Sequence, residues 1–270
     1  MLIDQGPVAQ LTLSATHKAL TEKSGMDRAS GFGPLIFACA KSADENGEET
    51  RRSRVQIPPG SYNKSDSMLL KIYESLLKHF GPQHWWPIND KTNPTYEICV
   101  GAILTQNTAW ANVEKALNNL IKSNAIDPRK ILAMPDEKLK KFIRPAGFFN
   151  QKAERLKAFT RFFLANPKPT REQLLALKGI GPETADSILL YAFNKPYFVI
   201  DAYTKRVFSR LGLIKETQYE ELQKFFEQNL PKKVSLYKEY HALIVELAKK
   251  YCGKIPRCDK CPLKNICKYD

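Results

Sequence analysis

The sequence predicts an all-α protein over residues 68–270. Three observations carry that expectation. From Met68 onward apolar residues recur at spacings of three and four, no run alternates polar and apolar residues as a half-buried strand would, and short turns rich in Pro, Gly and Asn punctuate the pattern. About nine to eleven helices fit this stretch, arranged in two lobes.

The elements follow in chain order. MLLKIYESLLKHF opens the amphipathic pattern at Met68, and YEICVGAILTQNTAWANVEKALNNLI extends it from Tyr96. DEKLKKFI, KAERLKAFTRFFLAN and REQLLAL continue it to Leu177, and ETADSILLYAF resumes it after a Gly-Ile-Gly turn. DAYTKRVFSRLG, YEELQKFFEQNL and YKEYHALIVELAKKY complete it at Tyr251. Cys99, inside the apolar run ICVGAIL, reads as a buried small hydrophobe.

Residues 1–67 show no sustained periodicity, since Gly, Ser, Ala and charges interrupt every apolar run. They are expected to form a disordered leader. Within it RRSRVQIPPG, at 51–60, resembles the conceptual translation of the T-arm of a transfer-RNA gene, which points to a start codon placed too far upstream. A flexible basic tail is the alternative, and Cys39, in this leader, carries no weight. The first residues lack a basic stretch followed by an apolar core, so no secretory signal is expected.

The 270 residues are 43% hydrophobic with a mean hydropathy of -0.40, and no apolar run approaches the length of a membrane span. Forty-two Lys and Arg against 28 Asp and Glu give a net charge of +14. The leader holds 8 of each sign, so the whole excess lies in 68–270. Such a field attracts polyanions, and nucleic acid is the first partner it suggests.

Four of the six cysteines, Cys252, Cys258, Cys261 and Cys267, form C-x5-C-x2-C-x5-C within sixteen residues. A disulfide framework has no secretory context here. Four-thiolate zinc sites usually pair two C-x2-C knuckles across a longer gap, whereas a [4Fe-4S] cluster accepts four cysteines from one compact loop. The spacing favours the cluster and leaves zinc as the alternative.

A second motif is LLALKGIGPETADSILLYAF at 174–193, where two helices meet at Gly179-Ile180-Gly181. Glycines there let backbone amides approach a phosphate at the start of the following helix, as in a helix-hairpin-helix that grips DNA without reading sequence. Eighteen residues beyond Glu183, Asp201 ends the run PYFVI and begins another helix. Asp201 reads as a helix cap or as a carboxylate at a pocket edge. The three tryptophans, Trp85 and Trp86 in HWWP and Trp110 after LTQNTA, read as core packing or as a recognition surface.

Taken together, LTQNT at 104–108, IRPAGFFNQKAERL at 143–156, LKGIGPETA at 177–185, VIDAYTKRV at 199–207, His241 and the cysteine loop at 252–267 resemble, in order, the helix-hairpin-helix (HhH-GPD) DNA glycosylase superfamily of endonuclease III. The likeness spans essentially all of 68–270. It implies a two-lobed all-α fold with a C-terminal [4Fe-4S] loop, base flipping into the cleft between lobes, and Asp201 as the catalytic carboxylate. It makes Gln106 the residue inserted where the base leaves, and Lys178, Gly179 and Gly181 the phosphate anchor. Lys254, Arg257, Lys260 and Lys264, interleaved with the cysteines, become phosphate contacts, with a merely solvated basic face as the alternative. Lys254 sits where members lacking the cluster use a lysine to hold the C-terminal segment, a task the cysteines would perform here.

Two departures refine the resemblance. Bifunctional members carry a lysine nucleophile in a pattern like GVGRKTA, and Glu183 stands at that position, so the lyase step should be absent or weak. The cysteine loop is one residue shorter than the family's C-x6-C-x2-C-x5-C. WWP followed by TQNT and an aromatic residue resembles the 3-methyladenine branch, in which aromatic rings sandwich the flipped base. N-alkylated purines carry ring charge, which an indole face attracts. The expected activity is a monofunctional DNA N-glycosylase for alkylated purines, acting on damaged duplex DNA as a monomeric, cytoplasmic, nucleoid-associated enzyme of a prokaryote. The alternatives are an endonuclease III-like glycosylase for oxidised or mismatched pyrimidines, and a non-catalytic iron-sulfur DNA-binding protein.

Overall fold

A computed structural model of the chain describes residues 68–89, 92–215 and 218–269. All belong to one unit, Pro58–Asp270. The expectations for the leader, and for Cys39 within it, lie outside the described residues.

Among the described residues the fold is wholly helical, as the apolar spacing predicted, with no strand. In chain order the α-helices are α1 (Met68–Phe80), α2 (Pro94–Leu104), α3 (Trp110–Lys122), α4 (Pro128–Ala133), α5 (Asp136–Ile143) and α6 (Phe149–Ala165). They continue as α7 (Arg171–Leu175), α8 (Pro182–Ser187), α9 (Ala202–Arg210), α10 (Tyr219–Asn229) and α11 (Val234–Lys250). A π turn over Ile188–Ala192 carries α8 forward, and short 3-10 turns follow α5 and shape the cysteine loop.

Caps explain several of the starts. Asp127 accepts the Lys130 amide at 2.9 Å, and Thr170 and Gln173 form a reciprocal capping box. α2 differs from the amphipathic helices because it is buried on all sides, Cys99 included, where burial pushes the thiol well above its usual range. It packs against α3, α6, α8 and the π turn. α11, the other long buried helix, packs against α1, α9 and the π turn. The π turn thus touches both central helices, and its Tyr191 faces the site described next.

No helix among the described residues is long and apolar enough to cross a membrane.

Candidate active site

Phe198, Val199 and Ile200 are buried, and they deliver Asp201 to the start of α9. The geometry shows the helix cap that the sequence allowed for Asp201, and it divides the two carboxylate oxygens. Oδ1 caps α9, accepting from the Thr204 amide at 2.7 Å and the Thr204 hydroxyl at 2.8 Å. Oδ2 faces Nε2 of His241 at 3.5 Å, too long for a good hydrogen bond. That His241 nitrogen is buried and makes no hydrogen bond. Burial alone would raise the Asp201 carboxyl, but His241 and the Thr204 donors outweigh it and hold the group below the usual carboxylate range. Asp201 is therefore an anion at neutral pH, only 9% exposed.

His241 is fixed from behind. Its Nδ1 lies 2.7 Å from the Tyr191 hydroxyl, which also donates to the Lys238 carbonyl at 3.3 Å. Glu183 remains accessible to solvent at the start of α8, yet crowding about its carboxyl, and then the charge of Asp201, push its titration upward. Two carboxylates of unequal acidity thus stand near His241.

The three tryptophans are brought together on this side. Trp86 and Trp110 meet edge to face at 5.2 Å, Trp85 lies 6.3 Å from Trp110, and Trp85 lies 5.9 Å from the His241 ring. Tyr191 closes the group, 5.1 Å from Trp86. Each indole is held separately. Trp86 fills a notch left by Gly101, where a Cβ would come within 3.0 Å of its ring, and Trp110 donates from Nε1 to Glu114 at 2.7 Å. The ammonium of Lys249 sits 5.8 Å over the Trp85 ring. All three rings stay partly exposed, so packing and a recognition surface are not exclusive here.

The predicted hairpin consists of α7, a turn over 176–181 and α8. Its two glycines have different reasons. Gly179 has φ +85°, a left-handed conformation, and the Arg155 side chain lies where a Cβ would project. Gly181 is extended and caps α8, and nothing lies within 4 Å of the Cβ it lacks. Neither backbone strain nor a neighbour demands glycine at 181, and its backbone is left open on that side. Lys178 is exposed beside it. Gln106, in the turn after α2, is tied to this hairpin, donating to the Gly179 carbonyl at 2.9 Å and to Thr184 Oγ1 at 3.0 Å.

At the C-terminus all four predicted cysteines line one cavity of about 230 Å³, together with Arg210, Tyr251, Pro256, Lys264 and Tyr269. Among the described residues no three His, Cys, Asp or Glu side chains gather closely enough to hold a single ion. Thiolates are the donors that an iron-sulfur cluster takes, and all four candidates border this one cavity. Lys254, Arg257, Lys260 and Lys264 are all exposed around the loop, with Lys264 at 3.8 Å from Asp259.

Residues 100–232 match the model of the HhH-GPD superfamily base excision DNA repair proteins. A Methanocaldococcus jannaschii protein named "Putative DNA repair glycosylase" is 51% identical over 214 residues, which cover 74% of this chain and 96% of that one. The chain belongs to the HhH-GPD superfamily. Endonuclease III of Thermotoga maritima, 28% identical, aligns over 75% of this chain and 93% of its own. Among solved structures, the 3-methyladenine DNA glycosylase MagIII of H. pylori, bound to 1,N6-ethenoadenine, is similar with a TM-score of 0.57 and 35% identity over 67% of this chain and 96% of its own. An endonuclease III–DNA complex shares the HhH-GPD fold at a TM-score of 0.66 and 23% identity, over 77% of this chain and 96% of its own.

Three residues of this HhH-GPD chain stand out only in three dimensions. Phe148, in the turn before α6, has φ +45° and is 61% exposed, an aromatic ring held out to solvent in a conformation that bulky residues avoid. Lys152 is 1% exposed, and its ammonium donates to the carbonyls of Leu104 (2.9 Å) and Ala146 (2.8 Å), tying the Gln106 turn to the Phe148 turn. Arg155 donates to Gln106. All three lie within IRPAGFFNQKAERL, a segment that the resemblance marks as a whole without singling any of them out.

Proposed function

We propose that this HhH-GPD glycosylase is a monofunctional hydrolase that releases cationic alkylated purines, such as 3-methyladenine, from duplex DNA. The observation that carries the reading is the placement of the aromatic group against the carboxylate: Trp85 packs on His241, whose Nε2 lies 3.5 Å from Asp201. A base seated among indoles is therefore within one residue's width of an anion positioned for its sugar. The likeness to MagIII supports the same substrate class.

The chemistry asks little of the protein beyond placement. A cationic purine is a good leaving group, so the N-glycosidic bond breaks with its electron pair passing to the base nitrogen and neutralising the ring. The sugar is left as an oxocarbenium ion. Asp201, kept ionised by His241 and Thr204, stabilises that charge. Water adds at C1′ on the sugar, and its proton passes to Asp201 or to solvent. Glu183 offers no amine, so no Schiff base forms and the strand stays intact.

Binding follows from the surface. Lys178, Gly179 and Gly181 present a cation and open backbone to one phosphate, while Lys254, Arg257, Lys260 and Lys264 add charge from the cysteine loop. Gln106 enters the stack vacated by the flipped base, and the exposed ring of Phe148 offers an apolar wedge. Cys252, Cys258, Cys261 and Cys267 would hold a [4Fe-4S] cluster, which supplies a structural clip for this basic loop.

Base release from a panel of oligonucleotides, including N-methylated DNA, tests the reading, with the abasic product examined separately for strand cleavage. Release of methylated purines with an unbroken strand is expected. Trp110→Ala should reduce that release through lost stacking and leave salt-sensitive duplex binding in place. Release of oxidised pyrimidines alone, or efficient strand cleavage, would overturn it.

A further inference from the structure

Arg155 lies on α6, inside the segment IRPAGFFNQKAERL but without a role assigned to it so far, and three contacts converge on it. Its Nη1 donates to Gln106 Oε1 at 2.9 Å, and its Nη2 donates to Gln151 Oε1 at 3.3 Å. Its aliphatic stem fills the space beside Gly179, with Cδ 2.7 Å from where a Cβ would stand.

An unconstrained glutamine amide can present either its oxygen or its nitrogen to a neighbour. Arg155 removes that freedom. A guanidinium can only donate, so the amide oxygen must face it and the amide nitrogen must face the hairpin, where Gly179 and Thr184 accept. The Gln106 amide is thereby satisfied on both sides before any DNA is present. Lys152, one turn earlier on α6, fixes the backbone end of the same turn through Leu104.

We propose that Arg155 is a positioning residue for damage engagement: it locks the Gln106 amide against the hairpin, so that the strand-entering turn and the phosphate-gripping turn act as one preorganised unit. The proposal rests on the reading of Gln106 as the residue that enters the vacated stack. It predicts that Arg155 matters where a gap must be filled and is indifferent to ordinary duplex.

The full-length protein, with Gln106→Ala, Arg155→Ala, Arg155→Lys and the double alanine variant, is titrated by anisotropy with two duplexes, one carrying a stable abasic-site analogue and one undamaged. Each single substitution is expected to cut the preference for the abasic duplex by about tenfold, and the double variant should lose no more than either, because coupled residues are not additive. Arg155→Lys keeps the charge but not the fork, so it should retain undamaged-duplex affinity and still lose the preference. Thermal melting of each variant checks that the fold persists, and Arg155→Lys keeps the test open if Arg155→Ala does not fold. Multiplying losses in the double variant, or an equal loss on both duplexes for Arg155→Lys, would overturn the proposal. Wild-type protein that releases no methylated base while the coupling persists would sink the alkylpurine reading and leave Arg155 standing.

Discussion

Arg210 donates from its guanidinium to the Cys252 sulfur at 3.3 Å, and the Arg210 carbonyl accepts from the Cys267 thiol at 3.6 Å. One residue at the end of α9 thus touches the first and last cysteines of the loop. The same guanidinium holds the carbonyls of Gly253 (2.7 Å) and Lys254 (3.1 Å), and Tyr269 lies against it at 4.6 Å.

If the loop carries an iron-sulfur cluster, Arg210→Ala should speed its loss in air by about tenfold, in the range found when outer partners of metal ligands are removed. The decay of the broad absorbance near about 400 nm reads this directly. Lys260→Ala, exposed and outside the cavity lining, should decay like the wild type. Colourless, zinc-loaded protein from anaerobic purification would defeat the cluster assignment.

Asp201→Asn separates capping from charge. Oδ1 can still accept from Thr204, which retains most of a cap interaction worth about 1 kcal/mol. The oxygen facing His241 is replaced by an amide nitrogen. Melting temperature and duplex affinity should therefore hold, while single-turnover base release falls by about two orders of magnitude, as when one electrostatic stabiliser is lost. Full activity of Asp201→Asn on every substrate would refute the carboxylate role.

Glu183→Lys places an amine where lyase-active members have one, yet strand nicking should rise no further than a trace. The surroundings of this position act on an amine in opposite directions, since burial favours its neutral form while the charge of Asp201 favours the ammonium. A nucleophile also needs correct aim at C1′. Borohydride trapping on abasic DNA measures this, and robust trapping would contradict it.

Lys152 gives a pH signature of the fold. Burial, and secondarily Arg155, lower its ammonium from 10.5 to about 8. The unfolded chain therefore binds more protons than the native one between about 8 and 10.5, and stability should gain from rising pH across that window. Below about 8 the cost of the buried charge is fully present. Lys152→Met should abolish this component, seen as a flatter difference in denaturation midpoint between pH 8 and pH 10.5. An unchanged slope would show that the ammonium is not the source.

Much of this molecule was legible in its sequence because the informative residues were local. Helical spacing reports burial directly, so the order of the helices and the burial of Cys99 could be read from apolar positions. The cysteine loop and the Gly-Ile-Gly turn are likewise compact in sequence. Lys152 and Arg155 were not legible, since a cation on a helix ordinarily reads as solvent-facing, and only the tertiary fold supplies the carbonyls of Leu104 and Ala146. Phe148 was hidden for the opposite reason, because an aromatic residue ordinarily reads as core. The pairing of Asp201 with His241 spans forty residues and two helices, a distance no spacing rule covers.

Trp86 is wedged into the Gly101 notch, Trp110 is leashed to Glu114, and Trp85 is capped by Lys249, so under the proposed function a flipped base meets indoles already fixed in place. Side chains held in advance spend little rotamer entropy on a guest. An alkylpurine glycosylase built this way should discriminate by outline and ring charge, rejecting bulky adducts sharply at a size threshold instead of accommodating them with gradually declining efficiency.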